Sequence, residues 1–235
     1  MKFWSKNKNE QSEDYAKKAL ELCNSGKYKE SISFFDKALK ANPDDFALNQ
    51  NKGLALNFIG KNKEAIDYFD KSISMDPSHP APLNNKGLAL INLQRYNDAI
   101  NWIDKALDIK PDYLDALVNK GICLDQQGKS EDAIPYFDRS IELSPSHPVA
   151  FYSKGLALFN LEKYEDALVC YDQAIKIKPD YIEALNNKAG ALLQLRRPEE
   201  SLECLNKSLE IDPHNKSTQK NKKLVIELLK KLSNI

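Results

Sequence analysis

The feature that most restricts this chain is a proline that returns every 34 residues, at Pro43, Pro77, Pro111, Pro145, Pro179 and Pro213, with no insertion between successive copies. A fixed period of this size marks an array of like supersecondary units, none able to bury its apolar face alone. With the proline at position 32, six units run 12–45, 46–79, 80–113, 114–147, 148–181 and 182–215.

Within a unit, positions 4, 8 and 11, then 20, 21, 24, 27 and 28, follow the i, i+3, i+4 spacing of two amphipathic helices, so each unit is expected to be a helical hairpin. Position 11 is leucine throughout, from Leu22 to Leu192, and position 24 is large: Phe35, Phe69, Ile103, Phe137, Tyr171 and Leu205. Position 8 is small: Ala19, Gly53, Gly87, Gly121, Gly155 and Ala189. Glycine inside a helix costs roughly 1 kcal/mol against alanine, so its recurrence predicts a close approach between the paired helices. The hairpin turn falls near positions 14 to 17, as in SGKY at 25–28 and LEKY at 161–164. The proline at 32 ends the second helix, because the residue before a proline is pushed out of helical geometry. Pro135 lies inside a second helix and is expected to bend it. Similarity at twice the period, as between 76–87 and 144–155, points to copying of a two-unit block.

Small residues at 8, 20 and 27, a large one at 24 and proline at 32 resemble the tetratricopeptide repeat family over 12–215. The resemblance implies an all-α fold, a right-handed superhelical solenoid of six hairpins whose first helices line a concave groove, closed by a capping helix over 216–235. Residues 1–11 read as a flexible leader. In the tail, Leu224, Leu228 and Leu232 form one apolar stripe, with Lys222, Lys223, Lys230 and Lys231 facing elsewhere. A polar-backed cap is preferred here to a membrane-surface helix. The chain departs from the family at position 7, usually apolar and here always lysine, while position 25 is aspartate in five units and Asn206 in the last. The pairing predicts a lysine stem packed on the hairpin with its ammonium offered to an aspartate within or between units.

Charge narrows the functional classes. The formal net charge is zero, but residues 12–215 carry −7, flanked by +2 over the first 11 residues and +5 over the last 20. An acidic body is a poor polyanion binder, and neither the 35-residue period nor the basic groove of pentatricopeptide RNA readers is present. No apolar run is long enough for a membrane span, and the amino-terminal segment has no apolar signal core, which predicts a cytoplasmic protein. Cys23, Cys123, Cys170 and Cys204 are too irregularly spaced for a zinc or redox motif and read as reduced, partly buried thiols. Gly128, Lys129 and Ser130 imitate the end of a phosphate loop, but Cys123 stands where its first glycine is required, so they read as a hairpin turn. His79, His147 and His214 sit at unit ends a repeat or more apart and cannot converge. No enzyme activity, metal or cofactor is expected.

What remains is binding. Position 6 reads Lys17, Asn51, Asn85, Asn119, Ser153 and Asn187, and position 5 adds Asn84 and Asn186. An amide both donates and accepts, so such a ladder suits the backbone of an extended peptide. Family members with such ladders use them in this way. Tyr152 and Phe159 lie among the amides and complete the candidate site with Asn51, Asn84, Asn85, Asn119, Asn186 and Asn187. Family members that hold a terminal carboxylate use lysine at position 5 and asparagine at 9, and neither occurs here. Glu13, Asp115, Asp125 and Glu183 face inward, which predicts a neutral to basic, partly apolar peptide or protein partner. The rival reading is a self-assembling module that forms homo-oligomers through its end faces or groove.

Overall fold

The computed structural model describes residues 8–233. Among them the protein is all-α: α1 (Lys8–Asn24), α2 (Tyr28–Ala41), α3 (Phe46–Phe58), α4 (Asn62–Met75), α5 (Pro80–Asn92), α6 (Tyr96–Ile109), α7 (Leu114–Gln126), α8 (Ser130–Leu143), α9 (Pro148–Asn160), α10 (Tyr164–Ile177), α11 (Ile182–Gln194), α12 (Pro198–Ile211) and α13 (Lys216–Ser233). The chain forms two compact bodies, one ending at Asn119 and the other beginning at Lys120. In the first, α1/α2, α3/α4 and α5/α6 are antiparallel hairpins, and α2 packs on α3 and α4 on α5. In the second, α9/α10 and α11/α12 are hairpins, α8 packs on α9, and α13 packs on α12.

Each second helix starts at position 17, and each hairpin turns through a residue of positive φ at position 15. Gly26, Gly60 and Gly128 take it at 71°, 79° and 76°, whereas Gln94, Glu162 and Arg196 take it at 57–59°. A side chain there costs roughly 1–2 kcal/mol. The Gly-Lys-Ser run is one of these turns: Ser130 opens α8 and donates to Asp125.

The glycine at position 8 is explained by its own hairpin. A Cβ on Gly121 would lie 2.5 Å from a ring carbon of Phe137, and one on Gly53 equally close to Phe69. Phe35, Phe69, Ile103, Phe137 and Tyr171 are accordingly fully buried. Tyr171 replaces phenylalanine at this position, and its buried hydroxyl has no hydrogen-bond partner among the described residues. Among the thiols, Cys123, Cys170 and Cys204 are buried, Cys23 is half-buried, and none of the four forms a disulfide among the described residues. Burial pushes the Cys170 thiol up to about 11, so it stays protonated and unreactive near neutral pH.

Position 7 joins one hairpin to the one before it. Lys52 reaches Asp36, and Lys86–Asp70, Lys154–Asp138 and Lys188–Asp172 each close at 2.5 Å. The lysine side chains are 6–25% exposed and the aspartates 43–57%, so the carboxylates stay in water while the lysine stems pack. Lys86 lies 3.7 Å from the Trp102 ring centroid and Lys52 4.1 Å from that of Tyr68. Burial works against the Lys52 charge, but hydrogen bonds to Asp36 and Tyr68 outweigh it and hold its pKa above the usual lysine value. Lys18, in the first unit, pairs with Glu21.

Two expectations change. The described part of the expected leader, residues 8–11, belongs to α1, which starts ahead of the repeat; the rest of the leader, with Phe3 and Trp4, lies outside the described residues. Helix α8 contains Pro135, as expected, and that proline is exposed. In α13 the leucine stripe does not form the capping face: Thr218 and Val225 are buried instead, and Leu229 packs on the core around Leu192 and Leu205. The reason is register. Thr218 and Val225 continue positions 3 and 10, which in earlier first helices are occupied by Ala150 and Ala157 and by Ala184 and Ala191, all buried.

Candidate functional site

The predicted amides fall on the first helix of successive hairpins, and the structure divides them by what lies opposite. In the first body Asn84 is 2% exposed. It accepts a 2.9 Å hydrogen bond from Asn119 and bonds the Tyr113 hydroxyl. Burial, with the Asp115 charge beside it, raises the pKa of that tyrosine, so Tyr113 remains a neutral phenol. About two helical turns further along, Asn92 donates to Asn57 at 3.0 Å. Both pairs are 35 residues apart, one more than the repeat. A residue at position 6 or 13 therefore reaches position 5 or 12 of the preceding hairpin.

The second body obeys the same rule. Asn187 donates to the Tyr152 hydroxyl at 3.0 Å and also to the Glu183 carbonyl, while Asn160 donates to both oxygens of Asp125 at 3.0 and 3.1 Å. Asp125 is 8% exposed and takes a further bond from Ser130. Asn186 pairs with Thr218, donating at 2.8 Å and accepting at 3.1 Å, which fastens α11 to α13. Tyr152 lies 5.0 Å from Tyr181 and 6.2 Å from Tyr171 between ring centroids, and Phe159 meets Tyr164 edge to face at 5.2 Å. Burial raises the pKa of Tyr152, with Glu183 adding to it.

Two of the predicted residues are different. Asn51 and Asn85 are half-buried, and their amides make no hydrogen bond among the described residues. The rule says why for Asn51: the residue 35 before it is Ala16, which has nothing to accept. Asn51, Ala16, Glu13, Leu20, Asp45 and Ala47 line a cleft of about 310 Å³ between α1 and α3. Its charged groups are both carboxylates. Asp45 caps α3 by accepting from the Leu48 N–H at 2.9 Å. Leu20 in this cleft is 42% exposed, and at the end of α3 Phe58 is 66% exposed and stacks on Tyr28 at 4.4 Å. Asn51, Leu54 and Phe58 lie on one face of α3 by their spacing.

Sequence reading missed Asn49, which stands where other units have an apolar residue at position 4. It is 1% exposed and donates to the carbonyls of Pro43 and Asp45, binding the inter-unit turn to α3. It also missed that His79 and His147 cap α5 and α9, accepting from the Ala81 and Ala150 N–H groups. The 35-residue pairs were open to inspection, since Asn84 with Asn119 and Asp125 with Asn160 differ from the period by one residue.

Comparison with known proteins agrees with this architecture. Models described as tetratricopeptide repeat match residues 16–80, 60–121 and 182–215, and one described as TPR repeat matches 155–195. A model of anaphase-promoting complex, cyclosome, subunit 3 matches 92–174. No curated protein matches the chain significantly. Among solved structures, the APC/C hetero-tetramer Cut9-Hcn1 superposes with a TM-score of 0.84 at 15% identity, covering 92% of this chain and 43% of that one. The chain thus spans less than half of that relative. PilW, a type IV pilus biogenesis factor, gives 0.77 at 22% identity over 89% and 97%. YrrB, a TPR protein with an unusual peptide-binding site, gives 0.56 at 24% identity over 80% and 97%.

Proposed function

As a member of the tetratricopeptide repeat family, this chain carries a scaffold fold, and we propose that it binds an extended segment of a partner protein along the first-helix face of its amino-terminal body. The observation that carries this reading is the α1/α3 cleft, where the unpaired Asn51 amide stands beside exposed apolar groups and two carboxylates. Asn85, on the next first helix, offers a second unpaired amide. A neutral to basic segment with one apolar anchor fits: its backbone bonds the amides, its anchor meets Leu20 and Phe58, and its cation meets Glu13. The scaffold works without chemistry of its own.

The test is affinity purification of the wild type beside an Asn51→Ala, Asn85→Ala double variant. Asn119 is a poor probe, because it is bound to Asn84 and its loss disturbs the fold. Recovery of the partner should fall about tenfold or more with two hydrogen bonds removed. Equal recovery by both proteins sinks the proposal.

A further inference from the structure

Helix α13 has two apolar faces and uses one. Thr218 and Val225 are buried, and Leu229 packs beside them on the preceding hairpin. Leu224, Leu228 and Leu232 are 55%, 41% and 53% exposed. At 3.6 residues per turn their i, i+4, i+8 spacing makes a stripe on the order of 80° round the helix from the docking line. Covering the last hairpin needs the first face only, so the second has no structural occupant within the described residues.

The charge on the same helix says what kind of surface would cover it. Lys216, Lys220, Lys222, Lys223, Lys230 and Lys231 stand against one acid, Glu227, whereas residues 12–215 carry −7. Lys220 and Lys231 are exposed and border the leucine stripe, with Lys216 and Lys223 exposed further round. The helix is not long and apolar enough to cross a membrane. An apolar stripe edged by lysines on an otherwise polar helix is the pattern of a helix lying in a lipid interface, and four to eight basic residues on such a helix attract anionic headgroups. The lysines occur toward both ends of α13, which suits a plane of phosphates along its whole length. Their methylene stems let the ammoniums reach headgroups while the leucines enter the acyl boundary.

We propose that α13 is a peripheral membrane anchor that lays Leu224, Leu228 and Leu232 into an anionic lipid surface. The inference does not depend on the peptide cleft, which lies in the other body.

Co-sedimentation of the full chain with vesicles tests it. Equimolar phosphatidylcholine and phosphatidylserine vesicles should retain about tenfold more protein than pure phosphatidylcholine, and added salt should weaken the binding. An L224S, L228S, L232S variant should lose about tenfold in binding while keeping the wild-type melting curve, since the three side chains lie outside the core. A K220E, K231E variant should lose the preference for phosphatidylserine. Absence of vesicle binding, or binding that the leucine variant retains in full, overturns the proposal. So does loss of self-association or of a protein partner in the leucine variant when wild type ignores lipid, which would make the stripe a protein contact.

Discussion

Asn84 and Asn85 are neighbours on α5, identical in side chain and adjacent in register, yet one is bonded to the next hairpin and the other makes no hydrogen bond among the described residues. The contrast extends to the two bodies. In the carboxy-terminal one, Asn186, Asn187 and Asn160 all find partners in Thr218, Tyr152 and Asp125. In the amino-terminal one, Asn51 and Asn85 make no hydrogen bond among the described residues. A ladder of like residues is therefore not a ladder of like functions. What each amide does depends on what its position meets on the neighbouring hairpins: Asn119, Asn160 and Asn187 each reach a partner one period and one step earlier, whereas Asn51 meets Ala16 there.

Substitutions can break this comparison. The largest effect is expected at Asn84→Ala, which strands the buried Asn119 amide and removes a Tyr113 partner. Stability should fall by about 1–3 kcal/mol in urea unfolding, and a loss under half of that would mean the pair is not a fastening. Tyr152→Phe removes only the hydroxyl that accepts from Asn187, whose amide keeps the Glu183 carbonyl, so about 0.5–1.5 kcal/mol is expected by the same measurement.

A smaller effect is set by pH. The folded pKa of Lys52 is raised, so the stability its pairing contributes is complete below the unfolded lysine value near 10.4 and declines as pH rises through the folded value. Thermal melts from pH 9 upward should show wild type losing more stability than Lys52→Met above about pH 10.4; parallel curves would remove Lys52 from the account. Least of all, Asn85→Ala should change stability by less than about 0.5 kcal/mol. A larger change would show that Asn85 is held by the fold, and the distinction from Asn84 would fall.

The repeat was legible because its determinants are local or periodic. Proline at position 32, leucine at 11 and the small residue at 8 each act through the backbone or through the same neighbour in every unit. The glycine prediction was right in kind, and the structure supplied the partner, the position 24 side chain of the same hairpin. The lysine and aspartate pattern likewise announced a pairing but not that it joins one hairpin to the next. The candidate site was legible only as a list of positions. Reading the same eight residues could not separate those with a partner from those without.

The sequence alone determined that this chain is an array of helical hairpins, since a 34-residue period with two amphipathic helices per unit has few other ways to bury its apolar stripes. Tertiary structure alone decided which polar groups remain available and which face of α13 is spent on packing. Those outcomes depend on the azimuth at which one helix meets the next, and a shift of one residue turns a side chain by about 100°, enough to exchange a buried Asn84 for an open Asn85.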